Sequence, residues 1–344
     1  ELAVKAFRHT AAYDLAIAHL LPAHLGLETS LLMAALAPWA DGLENPLRYG
    51  ENPHQRALLV RSRLLQGLAG FRQLQGKELS YNNLVDADAA WRLVHDLPSP
   101  GVAIIKHASP CGVGLDPDPA TAYSRAVCCD TVSAFGGVIA SSLPLDGPAA
   151  AKIGELFAEV VIAPAVDEGA QRLLARKKNL RVLVAPPPAG GVPRIKSIDG
   201  GLLVQTADEG WAGESWQTVS ARAPLADEMQ ALQLAWRVAK HVASNAVVVA
   251  NATATVGIGA GQPSRVDSCR IALEKARAAG LSIAGTAAGS DAFFPFPDGV
   301  EVLAAGGVTV IAQPGGSMRD AEVIAAADRL GLAMVLTGYR HFRH

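Results

Sequence analysis

The sequence predicts an α/β fold of two packed subdomains that contain mainly parallel sheets. A chain of 344 residues is longer than one domain usually needs. Half of the residues are hydrophobic while only 5% are aromatic, a composition that suits strands and helices joined by short turns. Segments with helical periodicity alternate with short apolar runs, and this alternation favours parallel strands covered by helices.

The first half of the chain contains the opening elements of this alternation. Apolar spacing predicts a helix over residues 6–21. A second helix is predicted over 86–96, after a polar cluster over 80–83, and Pro98 and Pro100 end it. A short strand over 102–105 follows. Residues 185–192 are rich in proline and glycine, so we place the boundary between the subdomains there.

The second half continues in the same way. Met229, Leu232 and Trp236 share one face of a predicted helix that leads into a strand over 246–250. Further along, the pattern predicts a strand–helix–strand unit over 308–312, 320–330 and 333–337. No internal repeat is visible in the sequence.

Charge and cysteine content exclude several classes of protein. The formal net charge of -2 gives no basic footprint for nucleic acid or for a membrane surface. No apolar run reaches the roughly 18 residues that span a bilayer, and no signal peptide is visible, so we expect a cytoplasmic protein. The cysteines have no disulfide pattern and should be reduced; they are Cys111, Cys128, Cys129 and Cys269.

The adjacent Lys106 and His107 are the sharpest chemical feature of the sequence. Proline and glycine within 106–112 (KHASPCG) predict a turn directly after the strand over 102–105, at the kind of strand end where α/β proteins bind ligands. Histidine titrates near neutral pH, and a neighbouring lysine can bind an oxyanion. The same pair would also suit a polar cap on the strand, and the residues alone leave both interpretations open.

Three further loops are candidates for ligand binding. Residues 257–265 (GIGAGQPSR) form a glycine-rich turn before a helix, where backbone amides and Arg265 could bind a phosphate. Residues 313–317 (QPGGS) are similar in kind. Residues 290–296 (SDAFFPF) carry three phenylalanines that could form a wall for a flat ring. Tight turns without a ligand, and a loop folded into the core, are the alternatives.

A zinc site cannot be assembled from these residues. Pro110 and Cys111 match the first half of the P-C-x-x-C motif of zinc deaminases, but position 114 is glycine and no H-x-E precedes it. We therefore expect no metal site and no metal requirement.

Eight segments, in this order, resemble the AICAR (5-aminoimidazole-4-carboxamide ribonucleotide) transformylase domain of the bifunctional purine-biosynthesis family that also carries IMP cyclohydrolase. They are 48–55 (RYGENPHQ), 106–112 (KHASPCG), 133–137 (SAFGG), 244–246 (SNA), 257–265, 290–296, 313–317 and 340–344 (RHFRH). The resemblance covers essentially the whole chain, and the shared order makes it specific. Ser109 and Pro297 depart from it, at positions where asparagine and arginine are frequent in the family.

The resemblance implies a fold, an organisation and an activity. Residues 1–45 would be a linker segment, 46–190 the first transformylase subdomain and 191–344 the second, each cytidine-deaminase-like but without zinc. The cyclohydrolase domain of the family is expected to be absent from these residues, and Glu1 lies inside a helical pattern, which suggests a longer polypeptide. The family forms homodimers with active sites at the interface. Its members transfer a formyl group from 10-formyltetrahydrofolate to AICAR.

The resemblance also implies roles for individual residues. His107 would be the general base for the poorly nucleophilic amine of AICAR, and Lys106 and Asn245 would be donors to the developing oxyanion. The nucleotide-binding residues would be Arg48, Tyr49, Gly136, Glu159, Arg265, Asp298 and Arg340, and the folate-binding residues Val266, Phe293, Ser317 and Met318. Asn83 and His54 are weaker candidates. The rival classes are a zinc-independent, deaminase-like hydrolase and a non-catalytic nucleotide-binding module.

Overall fold

The structure is a computed structural model that describes residues 1–39, 42–63, 65–209 and 216–344. Short 3₁₀ turns lie at Ala37–Trp39 and Leu68–Gly70. The α-helices are α1 (Leu2–His24), α2 (Leu31–Leu36), α3 (Tyr81–Asp96), α4 (Pro119–Cys128), α5 (Thr131–Ala134), α6 (Gly147–Ile153), α7 (Glu168–Leu174), α8 (Ala226–Ala239), α9 (Arg265–Ala278), α10 (Asp298–Gly306) and α11 (Asp320–Arg329).

The strands form two hairpins and two six-stranded sheets. The hairpins pair β1 (Leu43–Leu47) with β2 (Ala57–Arg61), and β9 (Arg194–Ile198) with β10 (Gly201–Gln205). The first sheet contains β3 (Arg72–Gln75), β4 (Gly101–Lys106), β5 (Ser109–Leu115), β6 (Gly137–Ser141), β7 (Ala158–Ala163) and β8 (Arg181–Val184). The second sheet contains β11 (Gln217–Thr218), β12 (Val247–Ala250), β13 (Thr255–Gly259), β14 (Thr286–Ser290), β15 (Val308–Gln313) and β16 (Ala333–Leu336).

The chain divides into two compact units. The N-terminal unit comprises residues 1–71, 79–81 and 185–209, and holds α1, α2 and both hairpins. The sheet unit comprises 72–78, 82–184 and 216–344, and holds both six-stranded sheets with their helices. The strands of the first sheet lie inside the expected subdomain 46–190 and those of the second inside 191–344. The subdomain bounds themselves stay a prediction.

The two sheets share one topology. The spatial order is β3-β8-β7-β6-β4-β5 in the first and β11-β16-β15-β14-β12-β13 in the second. Numbered along the chain within each sheet, both orders read 1-6-5-4-2-3. Strands 4, 5 and 6 are parallel in both sheets, while the hairpin of strands 2 and 3 and the edge strand 1 add antiparallel pairs. The α/β class is confirmed, and parallel pairing is confined to strands 4, 5 and 6 in the middle of each sheet.

A glycine pair recurs at the same place in both sheets. A Cβ on Gly112 or Gly114 of β5 would lie 2.0 or 2.2 Å from a carbonyl oxygen of α4. A Cβ on Gly257 or Gly259 of β13 would lie 2.0 or 1.9 Å from a carbonyl oxygen of α9. Each Gly-x-Gly therefore lets a helix pack directly on the strand backbone, where a side chain has no room.

The two sheets meet along β5 and β13. Gly114 and Ala254 form an antiparallel bridge, and the amide of Leu115 donates to the carbonyl of Thr253 at 2.7 Å. The buried hydroxyl of Thr255 accepts from the amide of Val113 at 2.9 Å. This contact places the end of the first sheet that carries the β4–β5 hairpin beside the β13–α9 turn of the second.

Burial and capping explain why these segments adopt these elements. Strands β4 and β12 are apolar runs that are buried along nearly their whole length, as central strands covered on both faces must be. Helices α4 to α7 each begin after an aspartate whose carboxylate accepts from a first-turn amide, which satisfies a donor that the helix cannot. These capping residues are Asp118, Asp130, Asp146 and Asp167.

Most of the predicted elements are confirmed. The helix expected over 86–96 spans Tyr81–Asp96, and the strand–helix–strand unit at the C-terminus is β15, α11 and β16 with β15 and β16 parallel. The turn predicted over 106–112 is shorter than expected, because Lys106 ends β4 and the residues from Ser109 onwards belong to β5. Among the described residues, no helix combines the length and apolar character needed to cross a bilayer.

Candidate active site

Lys106 and His107 lie at the tip of the β4–β5 hairpin. Lys106 ends β4 and pairs with Ser109, which leaves His107 and Ala108 as a two-residue loop. Both loop residues have positive φ, 53° and 56°, as a type I′ hairpin turn requires. Such angles cost non-glycine residues roughly 1–3 kcal/mol each, so the surrounding structure must hold the turn in place.

The carboxylate of Asp86 in α3 provides this support. One of its oxygens accepts from the amide of His107 at 3.3 Å and the other from the amide of Ala108 at 2.6 Å. A carboxylate that binds two consecutive amides fixes the course of the backbone. His107 is exposed, and it is its backbone amide that anchors the turn.

A cavity of about 310 Å³ opens beside this turn. The β4–β5 turn and α5 contribute Lys106, His107 and Ser133 to its lining, and the segment after β13 contributes Gln262 and Lys275. The walls also include Ser109, Pro110, Cys111, Ile258, Ala260 and Ile271. The structure therefore brings the Lys106–His107 motif and the glycine-rich turn after β13 to one site.

The ammonium of Lys106 is oriented by a backbone carbonyl. Its Nζ donates to the oxygen of Phe135 at 2.8 Å, directly after α5. An ammonium has three N–H donors, and this bond uses one of them. Lys106 thus faces the cavity as an oriented cation beside His107.

The side chain of Asn245 makes three hydrogen bonds, two of them to the turn that contains the cavity residue Gln262. Its amide nitrogen donates to the carbonyls of Gln262 at 2.8 Å and Pro263 at 2.9 Å, and its amide oxygen accepts from Arg265 at 2.7 Å. Both amide hydrogens are therefore engaged by the Gln262 turn. Donation to an oxyanion, as expected from the resemblance, would require Asn245 to release one of these carbonyls.

Arg265 is the buried centre of a network rather than an open ligand. Its guanidinium pairs with the fully buried carboxylate of Asp291 and donates to the hydroxyl of Ser290 at 2.7 Å. Asp291 also accepts from the hydroxyl of Ser244 at 2.5 Å and from the amide of Ala246 at 3.1 Å. Direct binding of the nucleotide by Arg265 stays a prediction.

The C-terminal residues dock onto the same network. The amide of His341 donates to the carbonyl of Asp291 at 2.9 Å. The amide of Ser244 donates to the carbonyl of Arg343, and the amide of Arg343 donates to the hydroxyl of Ser244, each at 3.0 Å. These contacts place the preceding residue, Arg340, next to the network, with its guanidinium 4.4 Å from the ring centre of Phe342.

The other nucleotide candidates of the sheet unit are spread over several loops. Gly136 has a φ of 75° and donates its amide to Phe157, at the end of α5. Glu159 in β7 accepts a 2.6 Å bond from Arg181. Asp298 begins α10, and its carboxylate accepts from the amide of Gly299. None of these three residues lines the cavity, so their roles stay predictions.

The folate candidates lie around the turns of the second sheet. Val266 is in the first turn of α9, and Ser317 and Met318 lie in the turn before α11. The phenylalanine loop is divided: Phe294 is packed in the core, Phe293 is half-buried, and Phe296 is exposed with its ring 4.8 Å from the guanidinium carbon of Arg319. Phe294 therefore fits the alternative of a loop folded into the core, and the aromatic wall for a flat ring stays a prediction. The half-buried Asn83 lies in the first turn of α3.

Arg48, Tyr49 and His54 belong to the N-terminal unit, in the loop between β1 and β2. The guanidinium of Arg48 lies 5.3 Å from the ring centre of Tyr49. The amide of Gly50 donates to the carbonyl of Gln55 at 2.8 Å and closes the loop.

The cysteines near the site are protonated thiols. Burial raises the pKa of Cys111 to about 12, of Cys129 to about 11 and of Cys269 to about 12. A thiol with such a pKa is a poor nucleophile and a poor metal ligand at neutral pH. In the part of the chain that the structure describes, no three histidine, cysteine or acidic side chains converge as a metal site would require.

The comparison with known proteins decides the family. Residues 1–275 match the family model described as the AICARFT/IMPCHase bienzyme. The chain belongs to this family. The resemblance carried by the eight motifs is therefore confirmed for the family as a whole.

Curated relatives of the family cover the entire chain. The protein named Bifunctional purine biosynthesis protein PurH from Bartonella bacilliformis is 50% identical over all of this chain and 66% of its own length. Proteins of the same name from Parvibaculum lavamentivorans and Bartonella tribocorum are 51% and 49% identical, with the same coverage. The chain thus spans just under two thirds of the length of these relatives.

Several residues around the candidate site were not predicted from the sequence. Asp86, Asp130 and Lys275 act on the turn or the cavity from positions remote in sequence, and Asp291 joins Ser244, Arg265 and the C-terminal residues. The only local signal for Asp291 was its place in the 290–296 motif.

Proposed function

We propose that the protein transfers a formyl group from 10-formyltetrahydrofolate to the amine of AICAR, which gives formyl-AICAR and tetrahydrofolate in IMP synthesis. One observation carries the proposal. The cavity places Lys106 and His107 of one sheet opposite the Gln262 turn of the other. The membership of the AICARFT/IMPCHase family supports the identity of the two substrates.

The first chemical problem is the weak nucleophile. The lone pair of the AICAR amine is delocalised into the ring and the carboxamide, so its attack on the formyl carbon needs a base. His107 is exposed at the cavity and can accept the proton that the amine loses as the new C–N bond forms. General-base assistance of this kind is worth roughly 10²- to 10⁴-fold in rate.

The second problem is the negative charge on the formyl oxygen. Lys106 lines the cavity, and its ammonium is already oriented by the carbonyl of Phe135. A preorganised cation stabilises a developing oxyanion without a reorganisation cost. Collapse of the tetrahedral intermediate then breaks the bond to N10 of the folate, which takes up a proton and leaves as tetrahydrofolate.

The remaining candidates are proposed to position these groups and the substrates. Asn245 would hold the Gln262 turn against the cavity. Arg48, Tyr49, Gly136, Glu159, Arg265, Asp298 and Arg340 are proposed for the nucleotide, and Val266, Phe293, Ser317 and Met318 for the folate. We further propose a cytoplasmic homodimer with sites at the subunit interface and no metal requirement.

The direct test mixes the protein with 10-formyltetrahydrofolate and AICAR and follows release of tetrahydrofolate. Turnover that depends on both substrates, with formation of a nucleotide heavier by one formyl group, supports the proposal. Tetrahydrofolate release that does not need AICAR would indicate a hydrolase. Nucleotide binding without any turnover would favour the binding-module alternative.

A further inference from the structure

Lys275 links the two sheets at the edge of the cavity. It lies in α9, which packs on β13 of the second sheet, and its Nζ forms a 2.8 Å ion pair with Asp130. Asp130 precedes α5, which packs on β4 and β5 of the first sheet. Lys275 also lines the cavity together with Lys106 and His107. A single side chain thus connects the helix after β13 to the short helix beside the Lys106–His107 turn.

Helix α5 is held at both ends by these cations. At its start the carboxylate of Asp130 accepts from the amide of Ser133 at 2.8 Å while it pairs with Lys275. At its end the carbonyl of Phe135 accepts from Lys106 at 2.8 Å. A helix of four residues has little stability of its own, so its position depends on such contacts.

The charge on Asp130 makes the contact with Lys275 significant. Only 12% of its side chain is exposed, and burial alone would raise the pKa of Asp130. The hydrogen bonds from Lys275 and Ser133 outweigh burial and lower the pKa. The carboxylate is therefore ionised at neutral pH, and removal of Lys275 would leave its negative charge poorly compensated at the cavity wall.

We propose that Lys275 is a positioning residue that aims the ammonium of Lys106 through Asp130, α5 and the carbonyl of Phe135. The inference rests on the proposed formyl transfer, because the group that it positions is the proposed oxyanion donor. A displacement of about 1 Å at such a group costs up to about 10²-fold in rate. Lys275 acts on the transition state in this scheme, so its loss should affect kcat far more than KM.

The test compares Lys275→Met and Lys275→Arg with the wild-type protein in the tetrahydrofolate-release assay. We expect Lys275→Met to lower kcat at least about 10-fold and to change KM for AICAR less than about threefold. Lys275→Arg keeps a cation that can reach a carboxylate and should restore kcat to within about threefold. Arg270→Met is the matched control, since Arg270 lies in the same helix and pairs with Asp267 in solvent.

A double-mutant cycle separates the pair from a general loss of folding. Asp130→Asn preserves a helix-capping side chain but removes the charge. If the pair acts as a unit, Lys275→Met should lower kcat much less in the Asp130→Asn background than in the wild type. Fully additive losses, or a kcat for Lys275→Met within twofold of wild type, would overturn the inference alone. A wild-type protein without turnover would overturn the proposed function and the inference together.

Discussion

Arg265 provides the strongest test of how the site is built, because the structure makes it the centre of a buried network. We expect Arg265→Ala to destabilise the fold itself. The substitution leaves the carboxylate of Asp291, which is 0% exposed, without its cation. It also removes the donor to Ser290 and the donor that fixes the amide oxygen of Asn245.

The magnitude follows from the burial of this ion pair. Removal of one partner of a buried pair typically costs about 3–5 kcal/mol, since the other charge is left uncompensated. Domains have about 5–15 kcal/mol of stability in total, so the loss is a large share. Arg270→Ala is the matched control, because its ion pair with Asp267 is about half exposed on both sides and contributes about 0–1 kcal/mol.

The assay is urea unfolding followed by tryptophan fluorescence, since Trp91 and Trp236 are fully buried. We expect a large fall in the unfolding midpoint for Arg265→Ala and a small change for Arg270→Ala. Equal shifts in the two variants would refute the argument that Arg265 is a buried structural cation. Full stability together with weaker AICAR binding would show that Arg265 serves the nucleotide without the structural role.

Three further predictions test the packing, the electrostatics and the chemistry. Gly259→Ala would place its Cβ 1.9 Å from the carbonyl oxygen of Ser268 and should lower the free energy of unfolding in urea by about 1–3 kcal/mol or more. Gly147→Ala is the control, because no atom lies within 4 Å of its added Cβ, and it should be neutral or stabilising. Equal effects of the two substitutions would contradict the packing argument. Burial lowers the pKa of His241 below its ordinary value of 6.5 despite its bond to Asp96. The stability that this shift contributes is fully present above pH 6.5 and should decline as the pH falls towards the folded-state pKa. A His241→Gln variant whose stability depends on pH in the same way as the wild type would disprove this. Dialysis against a chelator should leave turnover unchanged, because formyl transfer by this route needs no metal-activated water; activity lost on chelation and restored by zinc would revive a metal mechanism.

Local sequence patterns were sufficient where local physics decides the structure. The helical face of Met229, Leu232 and Trp236 belongs to α8, and the C-terminal strand–helix–strand unit is present with nearly the expected bounds. Periodicity and capping determine such elements, so the sequence reveals them. Lys106 and His107 were likewise predicted from their type and position, and both line the cavity.

The parts that were missed depend on contacts between distant residues. Asp86 supports the His107 turn from 21 residues away, and Lys275 reaches Asp130 across 145 residues. The hairpin turn itself lacks the usual Asn-Gly signal, which is why Pro110 to Gly112 were expected to form the turn. In the sequence, the shared topology of the two sheets is visible only as the paired Gly-x-Gly segments. Different sets of side chains can fill the same layers of a core, so two sheets of one topology need not resemble each other in sequence.

The most direct test of the central claim is the kinetics of His107→Ala, measured beside calorimetric binding of AICAR. His107 is exposed at the cavity and its backbone amide anchors the turn, so the substitution should preserve the fold. Nucleotide affinity should stay within a few-fold of the wild type. We expect kcat for tetrahydrofolate release to fall about 10²- to 10⁴-fold, the range of general-base effects. A variant that keeps more than about a tenth of wild-type kcat would contradict the assignment of His107 as the base.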